Sequence, residues 1–265
     1  MSLKICVMGA AGRMGKEIIK AISNFENIEL AGAIEKENTP FIGTDSGEIT
    51  GIGKNNIPIT SSLEDIIDNI DIVIDFTAAD ATMKNLDICE MHNKGIVIGT
   101  TGIDDTGKDK IKDKSQTIPI VFSPNMSIGV NLLFKLVEIT AGILKDGYDV
   151  EIIEAHHRYK KDAPSGTAKK LEEIVVNALN IEDVKYGREG LIGERKNKEI
   201  GVFAVRAGDI VGEHTVMFGG IGERIELTHK AHSRATFANG AVKAALFLKD
   251  KKNGLYSMFD VLGIN

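Results

Sequence analysis

Apolar residues recur along this chain in two alternating rhythms. Short runs at Leu3-Lys-Ile-Cys-Val-Met8, Ile28 to Ile34, Asp71-Ile-Val-Ile-Asp-Phe76, Gly95-Ile-Val-Ile-Gly99 and Ile118-Pro-Ile-Val-Phe122 read as buried strands. Between them the spacing turns helical. Lys16 to Phe25 places Ile18, Ile19 and Ile22 on one face, residues around 79–92 space Met83, Leu86 and Cys89 at intervals of three, and 104–115 reads as a polar helix. Strands that alternate with helices predict an α/β fold, with a Rossmann-type parallel sheet and right-handed crossovers. Residues 38–60 break the rhythm with Pro40, Gly43, Gly47, Gly51, Gly53 and Pro58, and are expected to form a surface excursion rather than core.

The pattern changes near Ser123-Pro124. A long apolar helix (about 128–145) leads into a strand at Asp149–Glu154, and the helix after Ser165 carries Ala168, Leu171, Ile174, Val175 and Leu179. Three strand-like runs follow, around 200–206, 210–218 and 223–230, joined by Gly208-Asp209 and Gly219-Gly220. Hairpins at these turns predict a second, α+β domain with a mixed or antiparallel sheet. An apolar helix closes the pattern at about 238–249, and the sequence holds no internal repeat or low-complexity segment.

A chain of 265 residues has room for two domains, and 43% hydrophobic with 26% charged residues is ordinary for a globular protein. The net charge of −6 argues against nucleic acid or an anionic membrane as the main partner. An anionic small molecule stays open, because a local basic pocket suffices for it. Cys6 and Cys89 lie in an apolar strand and a helical pattern, so buried free thiols in a reducing compartment are expected rather than a disulfide. There is no signal-like segment, and no apolar run approaches the ~18–20 residues that span a bilayer. The expected location is cytoplasmic.

Two segments carry the chemistry. Gly9-Ala10-Ala11-Gly12-Arg13-Met14-Gly15 follows a strand and opens a helix, where glycines permit a tight turn and the helix N-terminus attracts a pyrophosphate. Glu35 ends the second strand, where an acid can accept from ribose hydroxyls. Gly99-Thr100-Thr101-Gly102 and Ser123-Pro124-Asn125-Met126 end later strands, the edge of a parallel sheet where a ligand lies, so they are expected to reach the nicotinamide end. The second segment, Glu154 to Ala168, gathers His156, His157, Lys160 and the Ser165-Gly166-Thr167 helix start. Histidine exchanges a proton near neutrality, Lys160 brings fixed positive charge, and the helix start can hold a carboxylate. Zinc is the rival for the histidines, but no third ligand stands at ligand spacing, so no metal is expected. Arg206 to Thr215 and Thr228 to Arg234 are rich in polar residues, for which strand pairing and subunit packing are sufficient reasons.

On these motifs, with Asp75-Phe-Thr77, Asp162-Ala-Pro-Ser-Gly-Thr-Ala168, Arg206-Ala-Gly-Asp-Ile-Val-Gly-Glu-His214 and Phe237-Ala-Asn-Gly-Ala241, nearly the whole chain resembles the dihydrodipicolinate reductases. The resemblance implies a dinucleotide-binding domain from 1–127 and 237–265, and a substrate and oligomerisation domain from 128–236. It implies hydride transfer from NADH or NADPH to a cyclic 2,6-dicarboxylate imine, and a homotetramer. Carried over by position, His156 is the proton donor and acceptor, Lys160 the proton donor, and His157, Gly166 and Thr167 bind substrate. Gly9 to Met14, Glu35, Lys36, Gly99 to Thr101 and Ser123 to Met126 bind the cofactor. Lysine rather than the commoner arginine at 36 leaves the choice between NADH and NADPH open. Two other readings fit the glycine loop: another two-domain NAD(P)-dependent amino-acid dehydrogenase, and a non-catalytic NAD(P)H-sensing module.

Overall fold

The computed structural model describes residues 2–264. In chain order the elements are β1 (Leu3–Met8), α1 (Arg13–Ile22), β2 (Ile28–Ile34), α2 (Ser46–Thr50), β3 (Ile59–Thr60), β4 (Ile72–Asp75), α3 (Ala79–Met91), β5 (Gly95–Ile98), α4 (Asp105–Lys114), β6 (Pro119–Phe122), α5 (Ile128–Ile143) and β7 (Asp149–His156). They continue with α6 (Gly166–Leu179), β8 (Asp183–Lys185), β9 (Glu199–Arg206), β10 (Gly212–Gly219), β11 (Arg224–Ala231), α7 (Ala235–Leu248), β12 (Gly254–Tyr256) and α8 (Met258–Leu262). The chain divides into two compact units, Met1–Ile128 with Arg234–Asn265, and Gly129–Ser233.

The first unit is built on a seven-stranded sheet in the order β12-β6-β5-β4-β1-β2-β3, with every pair parallel. Successive side chains of a strand point to opposite faces, so β1 feeds two cores at once. Leu3, Ile5 and Val7 join α1 and α7 on one side, while Cys6 and Met8 join Leu86, Cys89 and Ile111 on the other. The chain leaves β1 toward β2 on one side and returns to β4 on the other, which makes the end of β1 the switch point where ligands of such sheets bind. Cys6 and Cys89 are free and buried, and burial pushes both thiols above their ordinary range.

Residues 38–60 lie mostly at the surface, as expected, but are more ordered than an excursion need be. The Asp45 carboxylate accepts from the N–H groups of Gly47, Glu48, Asn55 and Asn56, which ties the glycine-rich stretch into a knot around α2. Ile59, fully buried on β3, extends the sheet beside β2. One acid does locally what glycine and proline counts conceal.

The second unit is a mixed five-stranded sheet in the order β11-β10-β7-β9-β8. β10 pairs antiparallel with β11 and β7, whereas β7–β9 and β8–β9 are parallel. The turn at Gly208-Asp209 therefore closes no hairpin. β7 lies between the strands it connects, and only β10–β11 is a true hairpin. α6 covers one face of the sheet, with Ala168, Leu171 and Val175 buried. β7 runs two residues beyond the expected Glu154, which carries His156 on its last residue.

Candidate active site

In the first unit the glycine loop is closed by its own backbone. Gly9 sits at φ +66°, Gly12 N–H donates to Gly9 O (2.9 Å) and Ala10 N–H to Ile34 O (2.9 Å). A Cβ on Gly15 would overlap Gly9 O, so the loop can lie this close to α1 only with glycine there. Gly12 caps α1 without a side chain, so the first turn takes no side-chain cap, and Gly12 and Arg13 at that corner are exposed. The Glu35 carboxylate accepts from Ala11 N–H (3.2 Å) and Lys36 N–H (3.0 Å), which fixes it against the loop. Lys36 is exposed beside it. These features fit a dinucleotide. In dinucleotide-binding folds such a turn meets a pyrophosphate, and an acid in this place meets ribose hydroxyls.

A cavity of about 320 Å³ lies at the carboxyl ends of the strands, lined by Met14, Phe76, Thr77, Gly99, Thr101, Pro124, Asn125 and Phe237 among others. It gathers the loops that the sequence named separately. Thr100 lines it too, and two of the named residues use their hydroxyls within the fold. Thr100 Oγ1 hydrogen-bonds Thr82 Oγ1 (2.7 Å), and Ser123 Oγ donates to Asn125 O (2.9 Å). Beneath the cavity the fully buried Asp75 accepts from Thr77 N–H and Oγ1 (2.8 and 2.6 Å) and Asn85 Nδ2 (2.7 Å). Asp75 had been noted only as part of a motif. It shapes the floor. Phe76 lies where a Cβ on Gly99 would go, and Met126 O where a Cβ on Gly240 would go, so glycine at both places lets the loops close on the cavity.

In the second unit the cluster is organised around one carboxylate. Glu154 and His156 stand two apart on β7 and so share a face, with Arg206 opposite His156 and His214 opposite Glu154. Arg206 Nη1 and Nη2 donate to the two Glu154 oxygens at 2.8 Å each, and Ser165 N–H donates to Oε1 at 3.0 Å. His156 Nδ1 lies 2.6 Å from Glu154 Oε2. Burial opposes ionisation of Glu154, but the Arg206 fork and the other donors outweigh it and hold its pKa below the ordinary value. Burial lowers the pKa of His156; Glu154 opposes that shift, and Lys160 and Arg206 reinforce it.

Lys160 Nζ is 2.9 Å from Asp162 Oδ1, a contact that holds the Asp162 carboxyl below its usual range. Ser165 is buried, and its Oγ accepts from Ala168 N–H (3.2 Å) and meets His214 Nε2 (3.0 Å). Its hydroxyl is thus used in capping α6, which leaves Gly166 and Thr167 as the outer residues of the turn. Burial pushes His214 down to about 3, with nearby His156 reinforcing it, so His214 is neutral near pH 7. His157 Nδ1 is buried without a hydrogen-bond partner, a polar atom that the protein alone does not satisfy. Arg206 and His214 belong to this cluster as well as to the paired strands. No group of three or more His, Cys, Asp or Glu among the described residues is arranged to hold a metal.

A glycine loop at the switch point of one unit and a histidine–carboxylate cluster in the other are the features of a two-domain NAD(P)H-dependent oxidoreductase. Comparison with known proteins narrows the class. Residues 3–126 match the family description "Dihydrodipicolinate reductase, N-terminus" and residues 129–262 "Dihydrodipicolinate reductase, C-terminus". The chain belongs to the dihydrodipicolinate reductase family. It reduces the cyclic dicarboxylate 4-hydroxy-tetrahydrodipicolinate with NAD(P)H in lysine and diaminopimelate biosynthesis.

Among solved structures, the dipicolinate-bound dihydrodipicolinate reductase from Paenisporosarcina sp. TG-14 is similar over 98% of this chain and 99% of that one, at 25% identity and a TM-score of 0.80. Myo-inositol dehydrogenase from Lactobacillus casei, in complex with NAD(H) and myo-inositol, is similar over 98% of this chain and 91% of its own. At 15% identity and a TM-score of 0.61 it shares the fold. GenD2 from gentamicin A biosynthesis, in complex with NAD, covers 100% of this chain and 91% of its own, at 10% identity and a TM-score of 0.61.

Proposed function

We propose that the second unit holds the dicarboxylate and supplies its proton, while the first unit holds the cofactor. The observation that carries this reading is the convergence of His156 and the capped start of α6 on Glu154, with Lys160 close enough to His156 to influence its charge. Bound NAD(P)H supplies the hydride. The chain's own groups do the rest. Gly9 to Met14 wrap the pyrophosphate, Glu35 accepts from the adenosine ribose, and Gly99 to Thr101 with Ser123 to Met126 surround the nicotinamide. Gly166 and Thr167 present α6 N–H groups to one carboxylate, His157 offers its unsatisfied Nδ1, and Lys160 neutralises charge that builds on the ring. His156 exchanges a proton as general acid and base. A homotetramer is supported by the apolar Ile153 and Val205, both exposed on the sheet face opposite α6. Solution in the cytoplasm accords with the free buried thiols.

The test is a steady-state assay of NAD(P)H oxidation that depends on the product of aspartate-semialdehyde and pyruvate condensation. Pyridine-2,6-dicarboxylate is expected to compete with that substrate. Removing one carboxylate should weaken it by at least ~1.5 kcal/mol, the scale of a hydrogen bond to a charged group. A monocarboxylate of equal potency would show that the second carboxylate meets nothing here.

The same assay reads cofactor preference. Glu35 favours NADH, and the exposed Lys36 beside it offsets the repulsion of a 2′-phosphate. An exposed pair of this kind is worth about 1 kcal/mol or less, so kcat/KM for the two cofactors should differ by no more than roughly tenfold. Lys36→Ala should weaken NADPH use, more at low salt than at high, and leave NADH nearly unchanged. Equal losses with both cofactors would place Lys36 away from the 2′ position.

A further inference from the structure

The carboxylate at the centre of the second unit's cluster has no role in the proton chemistry described so far, yet everything in the cluster turns on it. Glu154 is fully buried and takes four hydrogen bonds: two from the Arg206 fork, one from Ser165 N–H and one from His156. Only a donor can face an ionised carboxylate at 2.6 Å, so the nitrogen of His156 that meets Glu154 must carry the hydrogen. That nitrogen is Nδ1. The other, Nε2, faces Gly212, where even a methyl group would come within 3.1 Å of it. A strand residue with any side chain would press on that nitrogen, and glycine leaves it open.

We propose that Glu154 is a positioning residue: braced by Arg206 and Ser165 N–H, it holds the His156 proton on Nδ1 and leaves Nε2 as the nitrogen that exchanges protons with the substrate. This rests on the reading of His156 as the acid and base. Arg206 is the second half of the device. Its positive charge offsets that of Glu154 and so limits how strongly the carboxylate favours imidazolium. The charged and titratable groups facing His156 can be named from each neighbouring element. Glu154 lies on its own strand, Lys160 and Asp162 on the loop that follows, Arg206 on β9 and His214 on β10, with His229 opposite His214 on β11. His214 is neutral near pH 7, and Asp162 is paired with Lys160. Burial lowers the proton affinity of His156 most. On that background Glu154 raises it while Lys160 and Arg206 lower it, so changes at Glu154 and at Arg206 act in opposite directions.

The two partners make opposite predictions, which a merely structural role does not. Glu154→Gln removes the charge that favours imidazolium. It should move the His156-dependent limb of the kcat–pH profile to lower pH, and lower kcat by about 10²-fold or more, because the ring loses its enforced tautomer. KM for the dicarboxylate should change far less than kcat. Arg206→Met leaves the carboxylate charge bare and should move the same limb to higher pH, by about one unit. Should Arg206→Met not fold, nitrogen-15 spectra of histidine-labelled wild type and Glu154→Gln decide alone. The wild-type His156 ring should carry hydrogen on Nδ1 and a bare Nε2, and the variant should lose that pattern. Wild-type kcat in Glu154→Gln, limbs that do not move in opposite directions, or a wild-type ring protonated on Nε2 alone would each overturn the proposal. His156→Gln separates it from the reading beneath. If that variant keeps wild-type turnover, the acid–base reading itself fails. If it is inactive while Glu154→Gln is normal, only the brace fails.

Discussion

Turnover by His156→Gln and by Lys160→Met is expected to fall by ~10²–10⁴-fold, the usual contribution of a general acid or base, while affinity for NADH and NADPH stays within about twofold. The split follows from where the groups lie. Both residues belong to the second unit, whereas the glycine loop and Glu35 belong to the first. The two losses should also differ in kind. Lys160 is tied to Asp162, and in the proposed role it also attracts the substrate's charge, so Lys160→Met should raise KM for the dicarboxylate as well as lower kcat. His156→Gln should act mainly on kcat. Steady-state kinetics with each variant, alongside a thermal melt to show that the fold is intact, checks both. Near-normal turnover in either removes that residue from its role.

Gly15→Ala is expected to damage the cofactor site, and for a steric reason. A methyl group there would overlap Gly9 O, which is backbone and cannot swing aside as a side chain could. Forcing the extra group in costs about 1–3 kcal/mol. If the loop takes up the strain, affinity for NADH and NADPH should drop together by roughly tenfold or more. If the helix yields instead, the melting temperature should fall. Titration of both cofactors and a melt on the same sample separate the two outcomes. A variant unchanged in both would mean that the loop tolerates a wider turn than its geometry suggests.

The first unit was largely legible because its elements obey local rules. Apolar runs with intervening helical spacing, and a glycine loop at the right junction, define a parallel sheet and its binding edge without any long-range information. The second unit was legible only in part. Which strands pair is decided by cross-strand register, so the β7–β9 parallel contact could not be read from the glycine turns that flank β9 and β10. The same limit hid the hub of the site. His156 and Lys160 stand out as types placed close in sequence, but Glu154 and Arg206 are separated by 52 residues and meet only through that parallel pairing. A carboxylate spaced two residues before a histidine, on the inward face of a strand, was the one local sign of it. Ser165 shows the converse. A hydroxyl at a helix start reads equally well as ligand or as cap, and burial makes it a cap here.

The cofactor unit is assembled from two separated stretches of chain, and this bears on how the protein is made. Ile18, Ile19 and Ile22 of α1 lie in one core with Ala241, Val242, Ala245 and Leu248 of α7, and β12 adds the last strand beside β6. On the ribosome, the apolar side of α1 emerges early and has no α7 to meet until all of Gly129–Ser233 has been synthesised. At ~5–20 residues per second the synthesis of that inserted stretch alone takes on the order of 5–20 s. The nascent chain thus carries an unfinished hydrophobic surface while the inserted second unit, with its own sheet complete, is already free to fold. Of the two units, the one begun first is the one completed last.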